Sequence, residues 1–346
     1  MAQAGTVTRV PATHAQHSSS VGLMVWVALG IVYVVWGSTY LGIRVVVKAG
    51  IPPMFGMGTR FLIAGTALAV ILALRSGTRR LRVTRRELGG AALVGLLLLA
   101  FGNGAVAVAE KTVPSGLAAL LVAAVPLWLI LLRVFGGERP RLLTWIGVLG
   151  GFSGVALLAL SSGDTSAKPL SVAILVLGTM SWAVGSRFSP RLGLPKDPLV
   201  ASVYEMYAGG LAMIVIGLVS GEAGRVDLAG VDLEGWIALT YLVGFGSLVA
   251  YSAYSYLLAN APISLVGTYA YVNPVVAVFL GWLILNESVT LSIVLGGAIV
   301  VLGVGLVVSA ERRRAPVPAA AAAPDKKSLE VPQVDDRAVG QVPVKQ

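Results

Sequence analysis

Three ionisable side chains stand inside otherwise apolar stretches of the sequence: Arg44, Arg60 and Glu205. A charge near the centre of a membrane helix costs about 2.5 kcal/mol or more, so such residues usually face a polar interior. Arg60 could bind a carboxylate or hold a gate, whereas Glu205 could bind an ammonium group or carry a proton. We expect these two to bracket a central cavity from opposite sides; hydrogen bonding to the backbone is the structural alternative. Arg44 lies near a helix end, where snorkelling to the interface is an equal alternative.

The stretch "VVWGSTYLGIR" places polar and aromatic residues in the first apolar run. Tyr33, Trp36, Gly37, Tyr40 and Arg44 recur at spacings of three or four residues, which puts them on one face of a helix. We predict that Trp36 and Tyr40 line a cavity. The alternative is packing, since glycine allows close helix contact and aromatic residues form interfacial belts.

Other polar and aromatic residues within apolar runs extend this candidate substrate-binding cavity. Pro126 and Pro274 would each free a backbone carbonyl, which a membrane tolerates only where protein or water satisfies it. Walls of hydroxyls, amides and rings suit a small amphipathic solute, whereas a bare-ion site would need clustered carboxylates. The further candidate residues are Asn103, Trp182, Ser186, Tyr251, Tyr254, Tyr269 and Asn273.

Composition identifies an integral membrane protein. The 346 residues are 56% hydrophobic and only 12% charged, about half the charged fraction of a soluble domain. The net charge of +10 is interpreted as positive loops held in the cytoplasm rather than as a nucleic-acid surface. The chain has no cysteine, and its two histidines, His14 and His17, lie in the polar N-terminal tail. No cofactor and no metal site is therefore expected.

Ten apolar runs are long enough to be membrane helices, so we predict an all-α polytopic fold. Short connections join them, and an Ala/Pro-rich, charged tail follows. The predicted organisation is an N-terminal tail over 1–22, two five-helix units over 23–160 and 161–309, and a disordered tail over 310–346. The runs lie near 23–47, 54–74, 88–108, 114–134, 142–160, 170–190, 198–219, 236–258, 262–284 and 291–309.

Lysine and arginine counts orient the chain. With the N-terminus in the cytoplasm, the inside segments hold twenty of the 26 basic residues and the outside segments four, while Arg44 and Arg60 lie within runs. We therefore predict a multi-pass protein of the inner (plasma) membrane with both termini in the cytoplasm.

Landmarks recur between the two halves of the chain. Pro126 and Pro274 lie 148 residues apart, and Trp36 and Trp182 lie 146 apart. Glycines follow at matching distances after Glu138 and Glu287 in the two halves. Because each half holds five runs, the second would enter the membrane from the opposite side. The pattern predicts an inverted repeat, an architecture common among secondary transporters.

Several blocks together resemble the EamA-type family of the drug/metabolite transporter superfamily. They are "WGSTYLGIR", "PPMFGMGTRFLIAG" and the paired "P…GER…G" and "P…NES…G" patterns, and the resemblance covers nearly all of 23–309. It implies ten helices in two inverted repeats, a cavity lined mainly by the first four helices of each half, and export of amino acids, other metabolites or drugs. Glu205 departs from the family pattern, in which an amide is frequent.

The leading hypothesis is a secondary transporter that exports small amphipathic solutes by alternating access. Coupled protons and a homo-oligomeric state are left open. A channel or a solute-sensing receptor is the alternative. The sequence has no H-E-x-x-H or G-x-S-x-G motif, which disfavours an intramembrane enzyme. The absence of a P-loop disfavours a primary pump.

Overall fold

The computed structural model of the chain describes residues 22–161, 167–261, 263–266 and 268–312. All regular elements in these ranges are helical. Helical residues continue beyond α8 to Asn260, and a short helix, Ile263–Val266, precedes α9. The main helices are α1 (Leu23–Lys48), α2 (Pro53–Ser76), α3 (Arg85–Ala109), α4 (Ser115–Phe135), α5 (Leu142–Leu160), α6 (Pro169–Phe188), α7 (Pro198–Val219), α8 (Leu233–Tyr254), α9 (Tyr269–Leu285) and α10 (Leu291–Arg312).

Within these ranges, nine of the helices are long and apolar enough to cross a membrane, which confirms the all-α membrane fold. The remaining one, α9, has 17 residues and is about 25 Å long, a little short of the ~30 Å hydrocarbon core. The sequence predicted one continuous run over 262–284, but α9 begins only at Tyr269.

Local sequence signals fix where the helices start. Pro53, Pro169 and Pro198 each occupy the first turn of a helix, where proline's missing N–H costs nothing. At the start of α3, Thr84 and Glu87 form a reciprocal capping box. These signals explain why the predicted and observed boundaries agree closely at most ends.

Three helices change their winding near the middle of the bundle. Residues Val32–Trp36 of α1, Leu96–Asn103 of α3 and Leu242–Val249 of α8 are π-helical. In addition, α4 is interrupted between Val122 and Val125, just before Pro126. π-Segments are often associated with functional sites because they redirect side chains.

Glycines set the closest helix contacts. On α5 and α10, a Cβ added at Gly147 would lie 2.8 Å from the carbonyl oxygen of Gly303, and one at Gly154 would lie 2.8 Å from that of Gly296. The two helices are therefore antiparallel and touch through their backbones. Gly150, on the same helix as Gly147, instead faces open space.

The pair α2 and α7 is built in the same way. A Cβ at Gly58 would lie 2.9 Å from the carbonyl oxygen of Gly210, and one at Gly210 would lie 3.0 Å from that of Gly58. Further along, Gly65 lies against Val203. Small residues thus let these helices approach to backbone contact.

Most of both predicted tails lies outside the described residues. Residues 1–21, which include His14 and His17, and residues 313–346 belong to this group. Residues 310–312 continue α10, so the helix extends three residues beyond the predicted end of its run.

Candidate substrate cavity

A cavity of 330 Å³ lies between the two halves of the chain. Its volume falls at the lower end of the ~300–1,000 Å³ typical of small-molecule sites. Residues of α1, α2, α3, α4, α6, α8 and α9 form its wall. Ten of the twelve sequence-predicted site residues lie on this wall: Trp36, Tyr40, Arg60, Asn103, Trp182, Ser186, Tyr251, Tyr254, Tyr269 and Asn273.

Four aromatic rings from three helices meet on one side of the cavity. The ring centroid of Trp36 lies 5.8 Å from that of Tyr251, 5.0 Å from Tyr254 and 5.3 Å from Tyr269. Tyr254 and Tyr269 meet edge to face at 5.9 Å. Such geometry is favourable for aromatic pairs, and it gives this side a rigid apolar wall edged with hydroxyl groups.

Arg60 supplies a positive charge to the wall. Its side chain is only 3% exposed, and its Nε donates a hydrogen bond of 3.0 Å to Ser247 Oγ on α8. Among the described residues, no carboxylate lies within ion-pair distance of its guanidinium group. A buried charge without a counter-ion is costly, so this site favours an anionic group in the cavity.

Two amides add acceptors. The side-chain oxygens of Asn103 and Asn273 are buried and lack a hydrogen-bond partner among the described residues. Unsatisfied buried acceptors cost about 1–3 kcal/mol each. Both residues lie on the cavity wall, so a ligand with N–H or O–H groups could satisfy them.

Residues of α4 and α6 complete the opposite side. Pro126 lies on the wall just after the break in α4, and Pro274 lies on it within α9. Trp182 packs closely against Gly102 of α3. Thr179 also lines the cavity and accepts a hydrogen bond of 3.1 Å from Trp128 Nε1, which fixes the threonine side chain between α4 and α6.

Two predicted site residues do not line the cavity, and the placement expected for them is corrected. Arg44 lies one turn beyond Tyr40, where it is buried and donates a hydrogen bond to the backbone carbonyl of Glu110; the snorkelling alternative is wrong too. Glu205 is half-buried on α7, whose backbone at this point packs against Gly95 of α3. No residue of α7 lines the wall, so Glu205 lies behind it rather than on it as predicted, within electrostatic reach of the cavity-lining Tyr251.

Some residues of the site were missed by the sequence interpretation. Thr39 and Thr179 line the cavity, yet threonine is common in membrane helices and gives no distinctive signal. Ser247, which holds Arg60, is equally ordinary in an apolar run. Outside the cavity, Glu110, which follows the last residue of α3 beside Lys111, has the sequence pattern of an interfacial residue, although it is completely buried.

Comparison with known proteins decides the family. The model of the EamA-like transporter family matches residues 24–160 and, a second time, residues 169–309. The chain belongs to this family. The uncharacterized inner membrane transporter YedA of Escherichia coli K12 is 42% identical over 255 residues, which cover 73% of this chain and 80% of YedA. The uncharacterized transporter YdfC of Bacillus subtilis is 26% identical over 270 residues, covering 78% and 86% of the two chains.

A solved crystal structure shares the fold of this EamA-like transporter. It superposes with a TM-score of 0.58 at 21% identity and covers 86% of this chain and 99% of the other. The family and the named relatives establish a transporter that acts on a small-molecule solute in a membrane, and they imply that the chain is not an enzyme. The resemblance seen in the sequence is thereby confirmed.

In this EamA-like transporter, one end of the bundle is tied together by glutamates from its second half. We call it the Glu110 end; it holds the connections α1–α2, α3–α4, α7–α8 and α9–α10. Glu287 accepts hydrogen bonds from the backbone N–H groups of Ser115 and Gly116, at 2.8 and 3.1 Å, and from Ser115 Oγ at 3.0 Å. These are the unpaired N–H groups at the start of α4, where a carboxylate is favoured.

Local geometry at the end of α9 aims this carboxylate. Asn286 adopts a left-handed conformation, with φ of 52°, and ends the helix. The chain therefore turns back sharply, as at many helix C-termini. Gly281 leaves room for the Glu287 carboxylate, because a Cβ at this position would lie 2.5 Å from Glu287 Oε2.

Glu222 makes an equivalent contact with the first half. Its carboxylate accepts hydrogen bonds from the backbone N–H groups of Met54 and Phe55 at the start of α2, at 3.0 and 3.2 Å. Lys111 lies 4.0 Å from its other oxygen. The two glutamates thus hold two helix N-termini of the first half and tie the two halves together at the Glu110 end.

The opposite end is joined by charged pairs of a different kind. Arg80 Nε lies 2.7 Å from the Asp197 carboxylate at the start of α7. Burial alone would raise the pKa of Asp197, but hydrogen bonds from Arg80 and from the backbone N–H groups of Leu199 and Val200 outweigh it and lower that pKa. Glu138 lies 2.7 Å from Arg133 and 3.5 Å from Arg187.

Replacing Glu287 with glutamine is expected to lower the free energy of unfolding by about 0.5–2 kcal/mol, the range measured for lost helix caps. The amide keeps one acceptor oxygen but loses the charge that favours the α4 N-terminus. Thermal unfolding of the purified protein measures this. Glu234→Gln, at an exposed position in the first turn of α8 near the same end, is the control for loss of an N-terminal charge without these hydrogen bonds and should lower the midpoint by less; equal midpoints for both variants would contradict the capping role.

Proposed function

We propose that this EamA-like transporter is a secondary active exporter of small amphipathic solutes that carry a carboxylate, such as amino acids and related compounds. The observation that carries the proposal is Arg60, a buried cation on the wall of an aromatic cavity without an acidic partner among the described residues. Drugs of the same chemistry would fit the same site.

The polar groups of the cavity are complementary to a zwitterion. Arg60 is a planar donor that suits a carboxylate, to which it can donate two parallel hydrogen bonds. The acceptor oxygens of Asn103 and Asn273 suit an ammonium group, and the rings around Trp36 suit an apolar side chain and a neighbouring cation. The volume of 330 Å³ favours a metabolite of modest size over a large drug.

Alternating access is proposed on the basis of the inverted repeat that the sequence predicts. The family model matches each half separately. In the repeat, Gly147 corresponds to Gly296 and Gly154 to Gly303, yet the contacts are crossed: Gly147 meets Gly303 and Gly154 meets Gly296. Crossed contacts of this kind are the signature of a two-fold axis between two equivalent helices.

The same relation supports ten membrane spans. It pairs α9 with α4, so the short α9 would cross the membrane together with the residues that precede it. The proposed units are 23–160 and 161–309, followed by a cytoplasmic tail, and the excess of basic residues on one side supports cytoplasmic termini. The Glu110 end would then face outward.

Counterflow in liposomes tests the proposal and separates it from a channel or a solute-sensing receptor. The purified protein is reconstituted in vesicles loaded with one amino acid, and uptake of the labelled compound is followed over a panel of amino acids and their decarboxylated analogues. We expect saturable counterflow for compounds that keep the carboxylate. Flux that rises linearly with concentration would indicate a channel, and binding without flux would indicate a receptor.

Direction and coupling need intact cells. Cells with and without the protein are compared for efflux of the compounds that counterflow identifies, before and after the proton gradient is collapsed. An exporter driven by protons loses its efflux when the gradient is lost. Efflux that survives the collapse would overturn proton coupling and leave the solute class standing.

A further inference from the structure

Glu110 is a buried carboxyl group that the cavity does not use. It follows the last residue of α3, and it is completely inaccessible to solvent. Neither of its carboxylate oxygens has a hydrogen-bond partner among the described residues. An ionised carboxylate in such a place loses its hydration without compensation, which costs several kcal/mol in real proteins.

The surroundings of Glu110 favour its neutral form in this conformation. Burial raises the pKa of the Glu110 carboxyl well above its usual range; Arg44 opposes this and Glu287 reinforces it. Arg44 donates a hydrogen bond to the backbone carbonyl of Glu110, and its own Nε is buried without a hydrogen-bond partner among the described residues. The Arg44 guanidinium group therefore lies near the Glu110 carboxyl group without forming an ion pair with it.

Charged and titratable groups approach Glu110 from several elements. The Glu287 carboxylate accepts hydrogen bonds at the start of α4, and the Glu222 carboxylate accepts hydrogen bonds at the start of α2. Cavity-lining Tyr40 lies within electrostatic reach of Glu110, so its charge would be felt at the wall. The charged and titratable groups that act on Glu110 are Arg44 and Tyr40 on α1 and Glu287 after α9. Lys111, the next residue, lies 4.0 Å from Glu222.

We propose that Glu110 is a proton-binding site whose occupancy is coupled to the closure of this end of the transporter. In the conformation with both glutamate caps made, which we take as closed, the carboxyl group binds one proton, taken from solution. When the end opens, water reaches the group, the proton leaves to solution, and the carboxylate pairs with Arg44. This inference rests on the proposed alternating access and assigns its proton site to Glu110 rather than to Glu205.

The sign of the pH dependence follows from linkage. The conformation that binds the extra proton is favoured as pH falls, because proton binding stabilises the state with the higher affinity. Low pH should therefore close the Glu110 end and high pH should open it. Removing Arg44 takes away the cation that favours the ionised form, so opening should then require a higher pH.

Spin-label distances test this without any solute. The chain has no cysteine, so Lys48→Cys and Ser288→Cys, at exposed positions on the two halves of the Glu110 end, provide a single labelled pair. In lipid nanodiscs we expect the short-distance population to give way to a longer one as pH rises. Glu110→Gln should keep the short population throughout, and Arg44→Gln should move the midpoint upward by about one pH unit or more.

Each outcome decides the proposal. A wild-type distribution that does not change with pH overturns it, and so does an unaltered pH response in Glu110→Gln. Glu205→Gln is the control and should respond like the wild type; loss of the response there instead would move the proton site to Glu205. If Glu110→Gln fails to fold, the midpoint shift of Arg44→Gln still decides. Because no solute is present, failure here leaves the proposed solute class untouched, and a failed counterflow assay leaves this result untouched.

Discussion

Replacing Arg60 with glutamine is expected to weaken binding of a carboxylate-bearing solute by about 30-fold or more, because truncating one partner of a buried charge pair costs about 2–5 kcal/mol. The guanidinium group is 3% exposed, and among the described side chains Ser247 Oγ accepts its Nε–H. The solute carboxylate would therefore be its principal counter-charge. Binding is measured by competition with a labelled solute found in the counterflow panel.

The decarboxylated analogue makes this experiment specific. If Arg60 binds the carboxylate, Arg60→Gln should weaken the amino acid but change the affinity for its decarboxylated analogue little. Arg60→Lys should fall in between, since lysine keeps the charge but not the two-pronged geometry. Arg225→Gln, at an exposed loop position, is the matched control for loss of positive charge. An equal loss of affinity for both compounds would indicate that Arg60 acts on the structure of the cavity instead.

The residues of the cavity that the sequence could predict are those whose type is unusual for their place. Aromatic and amide side chains in the middle of an apolar run have few structural explanations, and Trp36, Tyr251 and Asn273 all line the cavity. The helix boundaries were predictable for a related reason. Proline and glycine mark the ends of long apolar runs whichever way the helices pack.

The wrong predictions have a different physical cause. Which way a side chain faces is decided by the helices packed around it rather than by its residue type. Glu205 is an ionisable residue deep in an apolar run, but α7 packs closely against the backbones of α2 and α3. The close contacts are made by Gly209 and Gly210 of α7 and by Gly95 of α3. The reverse holds for Glu110, which the sequence presents as an ordinary helix end. Its surroundings include Arg44, which donates a hydrogen bond to its backbone carbonyl, and Glu287, which acts on it electrostatically; both are far away in sequence, so no local pattern contains them.

Helix pairing could be predicted in part. The spacing of Gly147, Gly151 and Gly154 is typical of close helix packing, but it does not identify the partner helix, which is α10. In these contacts a glycine surface of the first half packs against a glycine surface of the second half. We infer that this interface serves as a brace, since neither α5 nor α10 contributes to the cavity wall.

Replacing Gly303 with leucine is expected to destabilise the protein by about 1–3 kcal/mol at the least, the usual cost of overpacking a core. A Cβ at Gly303 would lie 2.6 Å from the backbone N and 2.7 Å from the Cα of Gly151. Backbone atoms cannot rotate away as a side chain can, so α5 and α10 must separate along their length. Thermal unfolding of the purified protein, together with the yield of monodisperse material, measures the effect.

Gly305 is the matched control, because it lies on the same helix and a Cβ there meets nothing within 4 Å. Gly305→Leu should leave the unfolding midpoint unchanged or raise it, since leucine has the higher helix propensity. Folded Gly303→Leu protein should still bind solute with wild-type affinity if the α5–α10 pair is a brace remote from the cavity. A loss of affinity without a loss of stability would contradict that role and would mean that the brace also positions the cavity wall.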